Sequence, residues 1–72
     1  MNLYIISNVL YDYTSGMVVI AAADQERCRA IFEVEFPRFI GEYDSAIING
    51  SYEVLQVVDQ QEGLVSYVFG GG

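Results

Sequence analysis

The stretch MVVIAAADQERCRAIFEVEFP, Met17 to Pro37, decides the fold because its hydrophobic period changes partway along. Its first seven residues, Met17 to Ala23, are continuously apolar. Such a run suits a central strand that is covered on both faces or touches a partner. Asp24 then reads as a helix N-cap, a short acceptor placed directly before QERCRAIFEVEF. Gln25 and Glu26 fall in the first turn, where acid complements the helix dipole. Cys28, Ile31, Phe32 and Phe36 share one helical face, while Glu26, Arg29 and Glu33 lie mostly away from it. Arg29 is spaced to pair weakly with Glu26 or Glu33 on the solvent side. Pro37 ends the helix, since it biases Phe36 away from helical backbone and cannot donate to the ladder.

Upstream, LYIISNV at 3–9 is rich in β-branched and aromatic residues and reads as a first strand. The loop between the strands contains Asp12, Thr14, Ser15 and Gly16, residues of turn chemistry, and predicts an antiparallel hairpin. Downstream, residues 38–50 (RFIGEYDSAIING) predict either a short helical turn or a loose connection. Asn49-Gly50 is a turn dipeptide that would let a short strand at Ala46–Ile48 pair with the segment after it. Residues 51–59 and 64–69 read as the third and fourth strands, joined by QQEG. Residues 70–72 (GGG) read as a flexible tail. The order β-β-α-β-β predicts one α+β domain over residues 1–69, a two-layer sandwich with one helix on a mainly antiparallel sheet of about four strands. The later strands read as apolar on both sides: Tyr52, Val54 and Val58 oppose Leu55 and Val57, and Leu64 and Val68 oppose Val65, Tyr67 and Phe69. One helix cannot cover two faces. Either the second face is a homodimer or partner interface, or residues 38–50 fold over it.

Composition narrows function. The chain has 72 residues, 53% of them hydrophobic, against roughly 45–50% for an average domain, so a packed core is expected and disorder is not. A membrane-spanning helix needs about 20 apolar residues, far more than the longest run supplies. With no basic-start leader and the single Cys28, this predicts a soluble, cytoplasmic protein. Ten acids face three bases, for a formal charge of −7, with no lysine and no histidine. The bases, Arg27, Arg29 and Arg38, are clustered around the helix. Phosphate binding draws on Lys and Arg, so direct binding to nucleic acid or an anionic membrane is disfavoured. The acidity either serves solubility or meets a basic partner.

The same absences exclude Ser-His and Cys-His catalysis, imidazole metal ligation and Schiff-base chemistry, and no Gly-rich phosphate motif occurs. No cofactor and no catalytic residue is expected. Two alternatives stay open: Glu42 and Asp44, two apart, could share a strand face for acid/base work or cation binding, and Cys28, a core residue by its position, could instead be an activated thiol. Six tyrosines occur and no tryptophan. Tyr11-Asp12-Tyr13 and Glu42-Tyr43-Asp44 place three of them beside acids in predicted loops. Tyrosine gives large contact area at low entropic cost, so these six residues form the candidate partner-binding surface. The alternative is that the rings merely close the ends of the sandwich.

Four segments together, LYIISNV, DYTSG, VVIAAADQERCRAIF and YEVLQVVD, resemble a set of small phage-encoded proteins, over roughly residues 3–32 and more loosely 51–59. Size, acidity and element order are similar to anti-CRISPR and other anti-defence proteins of phages. The resemblance implies a non-enzymatic inhibitor acting in the host cytoplasm on a basic host defence complex, in some cases by nucleic-acid mimicry. It carries over no individual site residue.

Overall fold

The computed structural model describes residues 1–71, and Gly72 of the predicted tail lies outside the described residues. The chain forms β1 (Asn2–Asp12), β2 (Thr14–Ala22), α1 (Gln25–Glu35), a 3-10 turn (Pro37–Phe39), α2 (Ile40–Ile48), β3 (Tyr52–Gln56) and β4 (Gly63–Val68). The four strands make one sheet in the order β3-β1-β2-β4, antiparallel throughout. The fold is the two-layer α+β sandwich that the sequence predicts, with a second helix added. No helix among the described residues is long and apolar enough to cross a membrane.

The β1–β2 hairpin is the centre of the sheet, and up to Ser7 and from Met17 onward its even-numbered residues face the helices. Tyr4 pairs with Ile20 and Ile6 with Val18, and these four are buried with Ala22 under Cys28, Phe32, Phe36, Tyr43 and Ala46. Each large side chain removed from water there contributes about 1.5–3 kcal/mol. Asp24 caps α1 as expected, its Oδ1 accepting the Arg27 N–H at 2.9 Å.

Residues 38–50 are neither a loose connection nor a strand. Ile40, Tyr43, Ala46 and Ile47 recur at helical spacing and pack on the core, so α2 forms without any side-chain N-cap. Asn49-Gly50 is its C-terminal cap and not a hairpin turn. Gly50 at φ +73° donates its N–H to the Ile47 carbonyl, and Ser51 donates to the Ala46 carbonyl, the paired bonds of a Schellman motif. Because α2 lies beside α1, residues 38–50 do not cover the second sheet face.

That face is set by register. Leu3, Ile5, Met17, Val19, Ala21, Leu55 and Val68 share it with Ser7, Glu53 and Ser66. The pairing skips Val65, since Val19 opposes Ser66 and Ile20 opposes Leu64. This bulge puts Leu64 and Tyr67 together on the helix side, whereas strict alternation opposes them. One extra residue flips everything beyond it to the other face. β3 and β4 lie on opposite edges, so residues 57–62 cross the end of the sheet, where the Val57 N–H bonds the Met1 carbonyl.

Gly70 and Gly71, the described part of the predicted tail, are hydrogen-bonded to the hairpin. Gly70 is buried and donates its N–H to the Leu10 carbonyl at 3.0 Å, and the Gly71 N–H bonds Thr14 Oγ1 at 3.0 Å. A side chain at Gly70 would collide with the Thr14 carbonyl oxygen, whereas one at Gly41 in α2 would meet nothing. Gly70→Ala should therefore lose about 1–3 kcal/mol of stability through forced backbone movement. Gly41→Ala should gain about 0.5–1 kcal/mol from helix propensity. Urea unfolding midpoints of the two variants check both signs.

Candidate functional site

The candidate site begins with a distortion of β1. Its pairing with β2 shifts register after Ser7 and again after Val9. Asn8 at φ 61° and Leu10 at φ 54° occupy the left-handed region, which costs a leucine roughly 1–2 kcal/mol. The distortion turns the consecutive residues Val9 and Leu10 both inward, fully buried. Burial and the Gly70 bond to the Leu10 carbonyl hold the strained backbone in place. β1 thus continues to Asp12, beyond the predicted strand at 3–9.

The hairpin is tighter than its turn residues suggest. Asp12 pairs directly with Thr14, leaving Tyr13 as the only linking residue, at φ 70° and 92% exposed. Thr14, Ser15 and Gly16 belong to β2, and Thr14 serves to hold Gly71. Tyr11 is half-exposed, and its backbone N–H donates to Glu42 Oε1 at 3.2 Å. Glu42 sits in the first turn of α2, where its charge complements the helix dipole. A polar cleft of about 450 Å³ opens between the bulged strand and α2, lined by Asn8, Tyr11, Glu42, Ser45, Asn49 and Ser51. Asn8 Nδ2 donates to Ser51 Oγ at 3.0 Å, and Asn49 Nδ2 to Ser45 Oγ at 3.2 Å.

The six predicted contact residues therefore separate. Tyr11, Asp12, Tyr13 and Glu42 gather at the hairpin end. Tyr43 does not belong to any surface: it is 1% exposed and its ring packs on Phe32 with centroids 5.0 Å apart. Asp44 faces α1 and takes a two-point bond from Arg29, at 2.8 and 2.9 Å. In a strand Glu42 and Asp44 would share a face; in a helix, two positions are about 200° apart. They form no carboxylate pair, which removes the acid/base and cation-binding reading. No group of three or more potential metal ligands is assembled among the described residues.

The arginines turn inward on the chain's own acids. Arg27 bonds Glu62 at 2.6 Å and Arg29 bonds Asp44, in place of the predicted pairs along α1. Hydrogen bonds from these guanidinium groups hold the Glu62 and Asp44 carboxyls below the usual carboxylate range. Arg38 is exposed and makes no ion pair among the described residues. Asp12 and Glu42 likewise make no ion pair among the described residues, so the hairpin end keeps its negative charge.

Sequence reasoning misses Asn8, Ser45, Asn49 and Ser51. Asn8 is hidden in a strand pattern, and its one signal is that asparagine tolerates left-handed backbone. Asn49 reads as turn chemistry. Comparison with protein-family models, curated proteins and solved structures gives no match.

Cys28 is fully buried, and burial pushes its thiol up to about 11, only partly offset by the nearby Tyr43 hydroxyl. That overturns the activated-thiol reading. The Tyr43 hydroxyl is buried without a hydrogen-bond partner among the described residues, and burial raises its pKa as well. Native protein at pH 8 should thus react with a thiol reagent far more slowly than unfolded chain. The native state binds the Cys28 proton more tightly than a thiol at its ordinary 9.0. Its contribution to stability is complete below about pH 9 and falls as pH rises toward 11. Tyr43→Phe, which removes a poorly satisfied hydroxyl, should stay within about 1 kcal/mol of wild type, and Tyr43→Ala should lose about 3–5 kcal/mol. Denaturant titrations of both variants, and of wild type against pH, read these outcomes.

Proposed function

We propose that this chain is a non-enzymatic binding protein, an inhibitor of the phage anti-defence kind, which engages a basic host complex through Tyr11, Asp12, Tyr13 and Glu42. The observation that carries the reading is Tyr13, a large aromatic residue held 92% exposed in left-handed backbone at the hairpin tip. Folding alone favours glycine or asparagine there. Strain retained at an exposed aromatic position points to function, and tyrosine is a residue type that dominates binding energy at interfaces. Its neighbours are acids without basic partners, on a chain of net charge −7. Carboxylates beside exposed rings can occupy a site built for phosphates and bases, which is how such a surface would compete with nucleic acid.

A second reading has its own observation. The sheet face away from the helices carries one charge, Glu53, and six apolar side chains besides the buried Ala21, with Leu55 49% and Val68 59% exposed. We assign that face to a second copy of the chain, because sheets stack face to face about 10 Å apart and this arrangement leaves both acidic hairpin ends free.

Pulldown from a host lysate with wild type and with the Tyr11→Ala, Tyr13→Ala double variant identifies the partner, and titration then measures it. The double variant should bind at least tenfold more weakly with an unchanged unfolding midpoint. Raising NaCl from 50 to 500 mM should also weaken binding clearly, since steering between exposed charges is screened. An affinity indifferent to both changes overturns the acidic-surface reading. For the dimer, sedimentation equilibrium should show a mass near twice that of the chain at high micromolar concentration, and Val68→Asp should return it to a monomer. A wild-type monomer at that concentration refutes it.

A further inference from the structure

The cleft beside the hairpin end has a chemistry more specific than acidity. We propose that it receives the guanidinium group of an arginine side chain from the partner. This inference rests on the reading of the hairpin end as a partner surface and names the chemical group that anchors there.

The wall is built of acceptors. Glu42 Oε1 is occupied by the Tyr11 N–H, and Oε2 has no hydrogen-bond partner among the described residues. Both asparagines direct their amide donors to serine hydroxyls, Asn8 to Ser51 and Asn49 to Ser45. Their Oδ1 atoms then remain without a donor among the described residues. No lining residue is a base, and Tyr11 is the one aromatic residue in the wall. A carboxylate and two side-chain amides among the residues lining a space of about 450 Å³ suit a cation with several N–H groups. Guanidinium fits better than ammonium: it is flat, weakly hydrated, carries five donors in fixed directions and stacks on aromatic rings.

The backbone geometry supports the same assignment. Asn8, in the wall of the cleft, stands at φ 61° where β1 shifts register against β2. The strain is anchored from behind by buried Val9 and Leu10, so the bay exists before any ligand arrives, and little ordering is lost on binding.

The test is an NMR titration of the full chain with N-acetyl-arginine amide, with the lysine analogue, and with the neutral citrulline analogue. The expected result is saturable shifts of the Asn8 and Asn49 side-chain amides and the Tyr11 backbone amide with arginine. Lysine should bind several-fold more weakly, and citrulline should produce no saturable shift. Glu42→Gln keeps an acceptor for the Tyr11 N–H and removes only charge, so it should weaken arginine binding at least tenfold while the spectrum stays folded. Asn49→Ala should weaken it without changing the charge. Equal shifts with citrulline, or arginine shifts that survive Glu42→Gln, overturn the proposal. Shifts confined to Asp12 and Tyr13 overturn the cleft but leave the hairpin end as a partner surface. If arginine saturates the cleft while binding of the recovered partner ignores salt and the tyrosine substitutions, the cleft stands and the partner reading falls.

Discussion

Everything in this small protein hangs on Phe32, packed between Phe36 and Tyr43 over the inner face of the central hairpin. Its ring centroid lies 5.4 Å from that of Phe36 and 5.0 Å from that of Tyr43. Tilted rings at such distances combine favourable quadrupole geometry with large apolar burial. Phe32 belongs to α1, Phe36 caps it, and Tyr43 belongs to α2, so one cluster ties both helices to β1 and β2. Phe36 then reaches Tyr67 and Phe69 at 5.3 and 6.0 Å, which extends the same contact to the edge strand and the C-terminal segment. In a chain of this size, where surface dominates volume, one shared aromatic cluster replaces the more extensive core of a larger domain.

That cluster also explains why the helices lie on one side. Once Tyr43 is committed to Phe32, α2 cannot reach the opposite sheet face, and Leu3, Ile5, Val19, Leu55 and Val68 are left there with no layer above them. The same commitment orients Glu42 and Asp44 in different directions. Asp44 becomes a tie to α1 through Arg29, and Glu42 meets the end of β1. A helix thereby divides what looks in sequence like one acidic, aromatic triplet into a core residue, a structural ion pair and a surface carboxylate.

The hairpin end joins strain to exposure. Asn8, Leu10 and Tyr13 all stand at positive φ within six residues, and the structure tolerates this because Val9 and Leu10 are buried and Gly70 closes over the Leu10 carbonyl. The result is a rim bearing Tyr11, Asp12, Tyr13 and Glu42 beside a polar bay. Arg27 and Arg29 are neutralised by Glu62 and Asp44, so neither places positive charge on that rim. An acidic rim and an arginine cluster are therefore compatible in one chain, because Arg27 and Arg29 are engaged within the fold.

Local chemistry is legible in the residues themselves: the apolar run of strand 2, the Asp24 cap, the Pro37 stop, and the hairpin joining Tyr4 and Ile6 to Val18 and Ile20. Such features depend on neighbours in the chain, while the net charge and the lack of histidine and lysine follow from composition alone. Of the site, Tyr11, Asp12, Tyr13 and Glu42 are visible in sequence as aromatic and acidic types near turns. α2 is only half visible, because Gly41, the missing N-cap and the Asn49-Gly50 pair weaken its local signal and Phe32 supplies its stability. The bulges at Asn8, Leu10 and Val65, the docking of Gly70 and the burial of Tyr43 are decided by tertiary structure alone. Each depends on which distant atoms fill the space beside the backbone, and bulge strain persists only where such packing outweighs it. Sequence determined what each segment could become; packing chose the faces.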